Sequence, residues 1–578
     1  MRAIGVMIAL LAGVAPARAA DRDISDLFDP AVITRSICNP DDISSTPRVG
    51  QQLAAAPSQV VKKGERPPLW PGLGTITFKI STTKPLAQAY FDQGLRLTYA
   101  FNHGEAIRAF RAAQEIDNKC GICAWGEALN WGPNINGPMR PEDNKSAVEA
   151  MQRAKKLLKR ETPAKERALI EAIQTRYAAQ APKKRDKLDA AYADAMAKAL
   201  QAFPADADIA VNFVEAAMVA SPWPWFEKRT NEPRGRIGAA TAAVEKVLKA
   251  DPHHAAAIHY YIHLSEIPAP EKAEPYANEL ASLMPGAGHM VHMPSHIFLR
   301  LGRYKDSLNT NLAAVDLDEK FLEAVPEAAR AYRRGLFPHN IDMAMSSASY
   351  AGDGRNALAM QRKMLEALPP TDTKNQFSTA GTYLPVLRFA DALTIPEPKK
   401  KAPFAHIVWR YARGSAYAWQ KNIAAARSEL DELVKERAKY MKKQGRKEGP
   451  VVGAVVELSE TLLRARLAVA EGDLGAAKGH LEAAVEIQER DQLYRGDPPV
   501  WDMPAHHYLG VLLMKMNRPD DAAPMLRQAL VDTPNNAWTL YALRQVSSQL
   551  GDTLAAGEYA KLFAKAWAGQ GAPDLDRL

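Results

Sequence analysis

Small and apolar residues recur along most of the chain with the period of amphipathic α-helices, and runs of β-branched residues are few. The pattern is clearest near the C-terminus. There Gly510 and Ala522 allow two helices to cross closely, Leu526 and Ala529 continue the apolar face, and Pro534 ends the second helix. The same order of positions recurs in residues 94–113, 240–252, 273–285, 302–314, 357–369, 414–430 and 472–484. We therefore expect an all-α chain of about ten helical hairpins, each about 33–34 residues long.

These positions resemble the tetratricopeptide repeat (TPR) superfamily over about five-sixths of the chain. The resemblance implies a right-handed α-solenoid whose concave groove binds a protein or peptide. Four blocks, residues 120–126, 132–136, 289–296 and 338–340, more narrowly resemble a family of exported bacterial TPR proteins, from which no activity carries over. That family has a histidine near position 342, where this chain has Asp342. A metal site built on the family pattern would here lack one nitrogen or use an oxygen instead.

The first twenty residues have the features of a signal peptide. Arg2 precedes an apolar run at 3–15, and residues 17–19 form an Ala-Arg-Ala motif, so we expect cleavage near Ala19 or Ala20. The run is too short to cross a bilayer, and no later segment approaches the roughly 20 apolar residues required. The sequence thus predicts a periplasmic or secreted protein without a transmembrane segment.

Composition divides the rest of the chain into four parts. Residues 21–85 lack the helical period and predict an N-terminal arm or cap, and 86–394 predict a TPR-like lobe with a histidine-rich groove. Residues 395–403 form a proline-rich linker before a C-terminal TPR-like lobe at 404–578. An aromatic insertion carrying Trp223 and Trp225 is either a lid over the groove or a filler packed against a helix.

Charge and cysteine content narrow the class of protein. Removing a signal peptide with two arginines lowers the formal net charge from +8 to +6, which is modest for 578 residues and argues against a nucleic-acid partner. Of the three cysteines, Cys120 and Cys123 are close enough to pair in an oxidising compartment, which leaves Cys38 odd. A structural disulfide is expected there, with a redox-active pair as the alternative. Ala124 excludes haem attachment, which requires histidine at that position.

Histidines are concentrated in one part of the chain: eight of the 13 lie between His253 and His339. His259 and His263 are four residues apart, as are His292 and His296, so each pair shares a helix face. The two pairs are 33 residues apart, about one repeat, which places them on equivalent faces of neighbouring hairpins. Repeat positions also direct further polar residues into the same groove, namely His289, His339, Asp342 and Glu215.

Imidazole and carboxylate ligands suit zinc, copper, nickel or iron, and the sequence does not distinguish among these ions. The first hypothesis is a transition-metal site on His259, His263, His292 and His296, completed by His289, His339, Asp342 or Glu215. The second is a plain protein- or peptide-binding scaffold, in which histidines hydrogen-bond the ligand. The third is a metalloenzyme or redox protein of unknown substrate. Tyr260 stands where a zinc-protease helix carries its glutamate base, so no catalytic residue is assigned.

Overall fold

The computed structural model describes residues 65–221, 224–227, 230–327, 332–368, 389–398, 403–443, 450–494, 496, 498–501 and 503–575. The expected all-α solenoid is confirmed: these residues form helices that pack in successive hairpins, with two isolated β-bridges and no strand among them. The predicted signal peptide, residues 21–64 with Cys38, and Trp223 lie outside the described residues. Within the described part, no helix is both long and apolar enough to cross a membrane.

The first series of helices comprises α1 (Pro85–Tyr99), α2 (His103–Ile116), α3 (Gly121–Trp131), α4 (Asn144–Lys156), α5 (Ala164–Ile173), α6 (Asp186–Ala202), α7 (Ala207–Ala220), α8 (Ile237–Ala250), α9 (Ala255–Ser265), α10 (Pro270–Leu283), α11 (Gly288–His292), α12 (Pro294–Arg300), α13 (Tyr304–Ala324), α14 (Phe337–Ala351) and α15 (Gly354–Ala367). A 3₁₀ turn at Pro141–Asp143 precedes α4, and a π-helical turn at Tyr332–Leu336 leads into α14. The second series comprises α16 (Phe389–Ala392), α17 (Pro403–Trp419), α18 (Ile423–Lys443), α19 (Pro450–Glu471), α20 (Leu474–Asp491), α21 (Ala505–Lys515), α22 (Pro519–Asp532), α23 (Ala537–Gln549) and α24 (Thr553–Ala566).

The hairpins form for the reasons that the sequence pattern indicates. Small residues sit where paired helices cross: a Cβ on Gly94 would lie 2.8 Å from the Phe110 ring, and one on Gly510 would lie 2.6 Å from Leu526. Helix starts are capped by acid and amide side chains, as where Asp206 accepts from the backbone N–H of Ile209. These local signals agree with one another, so each hairpin packs with a fixed register.

The C-terminal helices fold back onto the middle of the chain. The guanidinium of Arg300, at the end of α12, donates to the carbonyl of Tyr494 at 3.0 Å. The indole of Trp538 on α23 donates to the carbonyl of Ser349 on α14 at 2.9 Å. The backbone N–H of Ala568 donates to the carbonyl of Ala351 at 2.8 Å. These contacts close the solenoid on itself between its central and last hairpins.

Residues 65–84 form an extended segment that lies along α1 and is held there by side-chain bonds to its backbone. Gln93 accepts from the N–H of Trp70 at 2.6 Å and donates to the carbonyl of Pro68 at 2.9 Å. Further along, Asp92 accepts from the N–H of Phe78 at 3.2 Å. The segment also reaches the turn before α11, where the carbonyl of Gly72 accepts from the backbone N–H of Gly286 at 2.8 Å.

Cys120 and Cys123 form a disulfide with a Cα–Cα distance of 5.3 Å. Cys120 is the N-cap of α3 and has non-helical backbone angles, so the bridge spans a helix start and not a regular helical turn. The two residues are 5% and 0% exposed, and the bond is therefore buried in the core. This burial favours the structural disulfide over the redox-active pair.

Candidate metal centre

The histidines of three neighbouring hairpins converge in the interior. Helix α9 supplies two of them, the α11–α12 segment supplies three and α14 supplies one. Pro294 interrupts the middle segment because it lacks the N–H that a continuous helix would use, and His292 and His296 lie on either side of this break. The six imidazoles form two groups of three, the first trio being His259, His263 and His289 and the second trio being His292, His296 and His339.

In each trio, one ring nitrogen from every histidine lies within 4.8 Å of the other two. Nε2 of His259 is at the centre of the first trio, 3.2 Å from Nε2 of His263 and 3.2 Å from Nε2 of His289. Its other nitrogen, Nδ1, lies 2.7 Å from the backbone carbonyl of Tyr99 at the end of α1. A carbonyl only accepts, so Nδ1 of His259 carries the proton and Nε2 presents its lone pair to the two neighbours.

The second trio has outer partners on two of its members. Nδ1 of His292 lies 2.6 Å from Oδ1 of Asn311, whose amide nitrogen donates to the carbonyl of Ser307 at 2.7 Å and so fixes the orientation of the amide. Nδ1 of His296 lies 3.0 Å from a carboxylate oxygen of the buried Glu266. Outer partners of this kind orient histidine ligands and raise their basicity in metal sites.

Asn311 determines where the proton of His292 is. Because Oδ1 of Asn311 accepts from Nδ1 of His292, Nε2 of His292 carries a lone pair, and it lies 2.9 Å from Nε2 of His296. A cation between these two nitrogen atoms, or a proton shared by them, accounts for so short a distance. The ring of His339 lies nearby, with its centroid 4.8 Å from that of His292.

The two trios adjoin each other. Ring centroids are 5.6 Å apart between His263 and His296 and 5.7 Å apart between His289 and His292. Phe101 covers the first trio, with its ring centroid 4.5 Å from that of His259 and 5.1 Å from that of His289. The six imidazoles therefore form one continuous cluster with an apolar cover on one side.

Phe101 occupies its position at a conformational cost. Its φ of +54° is in the left-handed region, and it lies in the turn between α1 and α2. Later hairpins use Gly302, Gly352 and Gly472 at positive φ in the corresponding turn, and two of them use Lys421 and Asn517. A bulky residue in this conformation is strained, and the contacts of the Phe101 ring with the histidines offset part of that strain.

Burial keeps two members of the first trio, His259 and His289, in the state that a metal requires. Burial, partly opposed by the bond to Tyr99, lowers the pKa of His259 to about 3. Burial and the neighbouring imidazoles, first among them His259, hold the pKa of His289 well below its ordinary range. Both rings are thus neutral at neutral pH, and a neutral imidazole is the form that binds a metal ion.

The structure changes the grouping that the sequence suggested. The four histidines expected to act jointly are divided between the two trios, and His289 and His339 are full members. Neither Asp342 nor Glu215 belongs to a trio: Asp342 is half-buried on α14, and Glu215 faces the guanidinium of the buried Arg176 at 3.5 Å. A metal role for these two acids remains a prediction.

Other features of the region carry no clear sequence signal. Trp225 is buried and its indole donates to the carbonyl of Met218 at 3.2 Å, so it packs against the end of α7, and its role as a lid stays a prediction. The outer partner Asn311 lies outside the repeat positions that point to a groove, whereas Glu266, three residues after His263, occupies such a position but resembles an ordinary solubilising acid there. His103, whose ring centroid is 5.9 Å from that of Phe101, comes from the first hairpin, and burial lowers its pKa to about 4.

Among known proteins, the chain is similar to solved structures and to no protein-family model or curated sequence. The human IFIT1 dimer with m7Gppp-AAAA aligns over 93% of this chain and 99% of that chain at 13% identity, with a TM-score of 0.30. The Cut9–Hcn1 hetero-tetramer of the APC/C aligns over 85% and 78% at 14% identity (TM-score 0.29), and yeast Tom70 over 83% and 93% at 12% identity (TM-score 0.25). These scores are too low to carry an argument, and the TPR-type architecture rests on the helix pairing described above.

Proposed function

We propose that this protein binds two transition-metal ions, one in each histidine trio. The observation that carries the proposal is the pair of Nε2 atoms of His292 and His296, which face each other at 2.9 Å while Asn311 holds the proton of His292 on Nδ1. A divalent cation between them replaces this contact by two coordination bonds. The second hypothesis, histidines that hydrogen-bond a peptide, gives no reason for this arrangement.

The distances fit a first-row metal ion. Zinc–nitrogen bonds of about 2.0–2.1 Å place tetrahedral ligands about 3.3–3.4 Å apart and ligands at a right angle about 2.9 Å apart. The short Nε2–Nε2 distances are 3.2 Å in the first trio and 2.9 Å in the second. Small rotations of the third ring in each trio complete the geometry.

The ligand set narrows the choice of ion and of role. Imidazole nitrogens suit zinc, copper, nickel and iron, whereas magnesium and calcium prefer oxygen ligands. Three histidines leave one coordination position open, as in catalytic zinc sites, while closed structural sites use four protein ligands. A bound ion in either trio can therefore accept a ligand from outside. The reaction, if the protein is an enzyme, is not assigned.

The test uses full-length protein without a polyhistidine tag, analysed for metal content and titrated with zinc. We expect about two ions per wild-type chain, about one in each of the single variants His263→Ala and His296→Ala, and none in the double variant. His480→Ala is the matched control, since His480 belongs to neither trio. Circular dichroism checks that each variant keeps its helices.

Two results would contradict the proposal. A wild-type protein that takes up no zinc, copper, nickel or iron would show that shared protons hold the imidazoles together. Loss of all metal in each single variant would show one shared ion instead of two.

Export belongs to the same proposal and is supported by the buried disulfide, since disulfides persist in oxidising compartments. We expect thiol counting on denatured, unreduced protein to find about one free thiol among the three cysteines. Three free thiols would contradict the oxidising location. Kinship to the exported bacterial family is supported by the position of its blocks, because residues 289–296 and His339 lie at the histidine cluster.

A protein- or peptide-binding scaffold is the second candidate, favoured by the extended segment at residues 65–84. Side chains of α1 hold the backbone of this segment in the way that a solenoid holds an extended peptide, as the two bonds between Gln93 and the segment show. A synthetic peptide of residues 65–84 should bind a chain that lacks them. A peptide with the same composition in scrambled order should not.

A further inference from the structure

A cavity adjoins the first trio. It lies between the N-terminal segment, the α1–α2 turn and the start of α11, and its volume is about 50 Å³. A single water molecule needs about 10–15 Å³ on the same measure, so the cavity has room for a molecule of several heavy atoms. Most of its wall is apolar or aromatic, formed by Trp70, Leu73, Leu97, Leu317 and Phe321, and His289 of the first trio also lines it.

Two residues that line this cavity each carry a buried nitrogen atom that the protein does not satisfy. Among the described residues, neither Nε1 of Trp70 nor Nδ1 of His289 has a hydrogen-bond partner. His289 is 2% exposed, so solvent contributes little to its hydration. Buried polar atoms of this kind are rare in native proteins, and a ligand is one explanation of them.

Several polar groups around the cavity are donors, and the one amide oxygen among the lining side chains, Oδ1 of Asn102, already accepts from the N–H of Glu105. An indole N–H can only donate, and the hydroxyl of Tyr332 is already used, donating to the buried Asp318. Lys320 adds a positive charge at the rim, where its ammonium is half-exposed and 2.7 Å from Asp316. Such donors recognise an acceptor, and a carboxylate offers two acceptor oxygens.

A metal ion in the first trio fixes the role of His289. Its Nε2 faces His259 at 3.2 Å, so coordination through Nε2 leaves the proton of the neutral ring on Nδ1. Nδ1 then becomes a donor, as Trp70 Nε1 already is. The ion and an acceptor in the cavity should therefore favour each other's binding.

We propose that the cavity binds a short-chain carboxylate, with its oxygens at Trp70 and His289 and its apolar chain among Leu73, Leu97 and Phe321. This proposal rests on the proposed metal-binding function for its coupling to the first trio, but the Trp70 contact is independent of metal. It assigns to the metal centre a ligand class of small, apolar monocarboxylic acids.

The experiment titrates butyrate into zinc-loaded and metal-free protein by isothermal calorimetry, with butylamine as the oppositely charged probe. We expect butyrate to bind and butylamine not to bind. Trp70→Phe, which keeps the ring and removes the N–H, should weaken butyrate about tenfold or more, since the lost bond is to a charged acceptor. Trp419→Phe is the matched control, because Trp419 is 39% exposed and does not line the cavity.

The coupling is measured on the same proteins. Zinc should tighten butyrate binding, and butyrate should tighten zinc binding by the same factor. Trp70→Phe should leave zinc affinity in the absence of butyrate unchanged. Equal butyrate affinity in Trp70→Phe and wild type would overturn the proposal, as would equal binding of butylamine.

The failure of either proposal can be recognised separately. If wild-type protein takes up no metal, the proposed function fails, and the effect of Trp70→Phe on butyrate binding to the metal-free protein still decides the cavity. If metal binds as proposed but butyrate does not bind, or binds equally well to wild type and Trp70→Phe, the cavity proposal fails and the metal proposal stands.

Discussion

Replacing Asn311 by leucine removes the acceptor that orients His292 and nearly preserves the volume of the side chain. Asn311 is 0% exposed, and its Oδ1 lies 2.6 Å from Nδ1 of His292. Without Oδ1, the imidazole can carry its proton on Nε2, and a protonated Nε2 cannot bind a metal ion. The hydroxyl of Ser295, 3.3 Å from Nδ1, is left as a weaker acceptor.

The magnitude follows from these contacts. Loss of an outer hydrogen-bond partner typically costs 10–100-fold in metal affinity, about 1.4–2.7 kcal/mol. Because Ser295 partly compensates, we expect about tenfold for the second trio. The first trio should keep its affinity, since its central histidine is oriented by the backbone carbonyl of Tyr99.

The assay is competition with a chromophoric chelator, fitted with two zinc dissociation constants. Asn144→Leu is the matched control: Asn144 is 5% exposed, donates to the carbonyl of Ala178 at 3.1 Å and belongs to neither trio. Each variant should lose about 1–3 kcal/mol of unfolding free energy by leaving a polar group unpaired. Only Asn311→Leu should weaken one of the two constants. Unchanged constants in Asn311→Leu, or an equal loss of zinc affinity in Asn144→Leu, would refute the reasoning.

Three further predictions concern stability. Burial lowers the pKa of His507 to about 3, so between this value and the ordinary pKa of 6.5 the unfolded chain binds a proton that the folded chain does not, and the free energy of unfolding falls with acid. The wild type should therefore lose about 2 kcal/mol more unfolding free energy between pH 7.5 and 5 than His507→Gln does, as measured by urea titration. A Cβ on Gly288 would overlap a carboxylate oxygen of Asp318, so Gly288→Ala should destabilise the fold by about 1–3 kcal/mol. Gly479 faces open space within α20, so Gly479→Ala should stabilise the fold by about 0.5–1 kcal/mol. Melting temperatures that shift in the same direction in both variants would contradict this prediction. Trp538→Phe, which removes the bond from α23 to α14, should cost about 1 kcal/mol, and an unchanged urea midpoint would contradict that closing contact.

The sequence predicted the hairpins well because their signals are local. Small residues at helix crossings, such as Gly94 and Gly510, and prolines after helix ends act within one repeat. The histidine pairs were found in the same way, since four-residue and one-repeat spacings are both readable along the chain.

The division into two trios was not readable. It depends on the curvature of the solenoid and on the break at Pro294, which together determine which rings meet. The carbonyl of Tyr99, 160 residues before His259, could be found only in three dimensions. Glu215 has a repeat position that indicates a groove, but the structure pairs it with the buried Arg176, which no repeat position marks.

The return of the C-terminal helices to the centre, through Arg300, Ser349 and Ala351, changes how this protein can evolve. An open solenoid gains or loses repeats at little cost, because each repeat contacts its neighbours alone. Here, adding or deleting one hairpin between residues 352 and 534 would displace α23 from α14 and separate Trp538 from its acceptor. Changes of length are therefore expected to be confined to loops and to the two ends, and the number of repeats should be the same in close relatives even where their sequences have diverged widely.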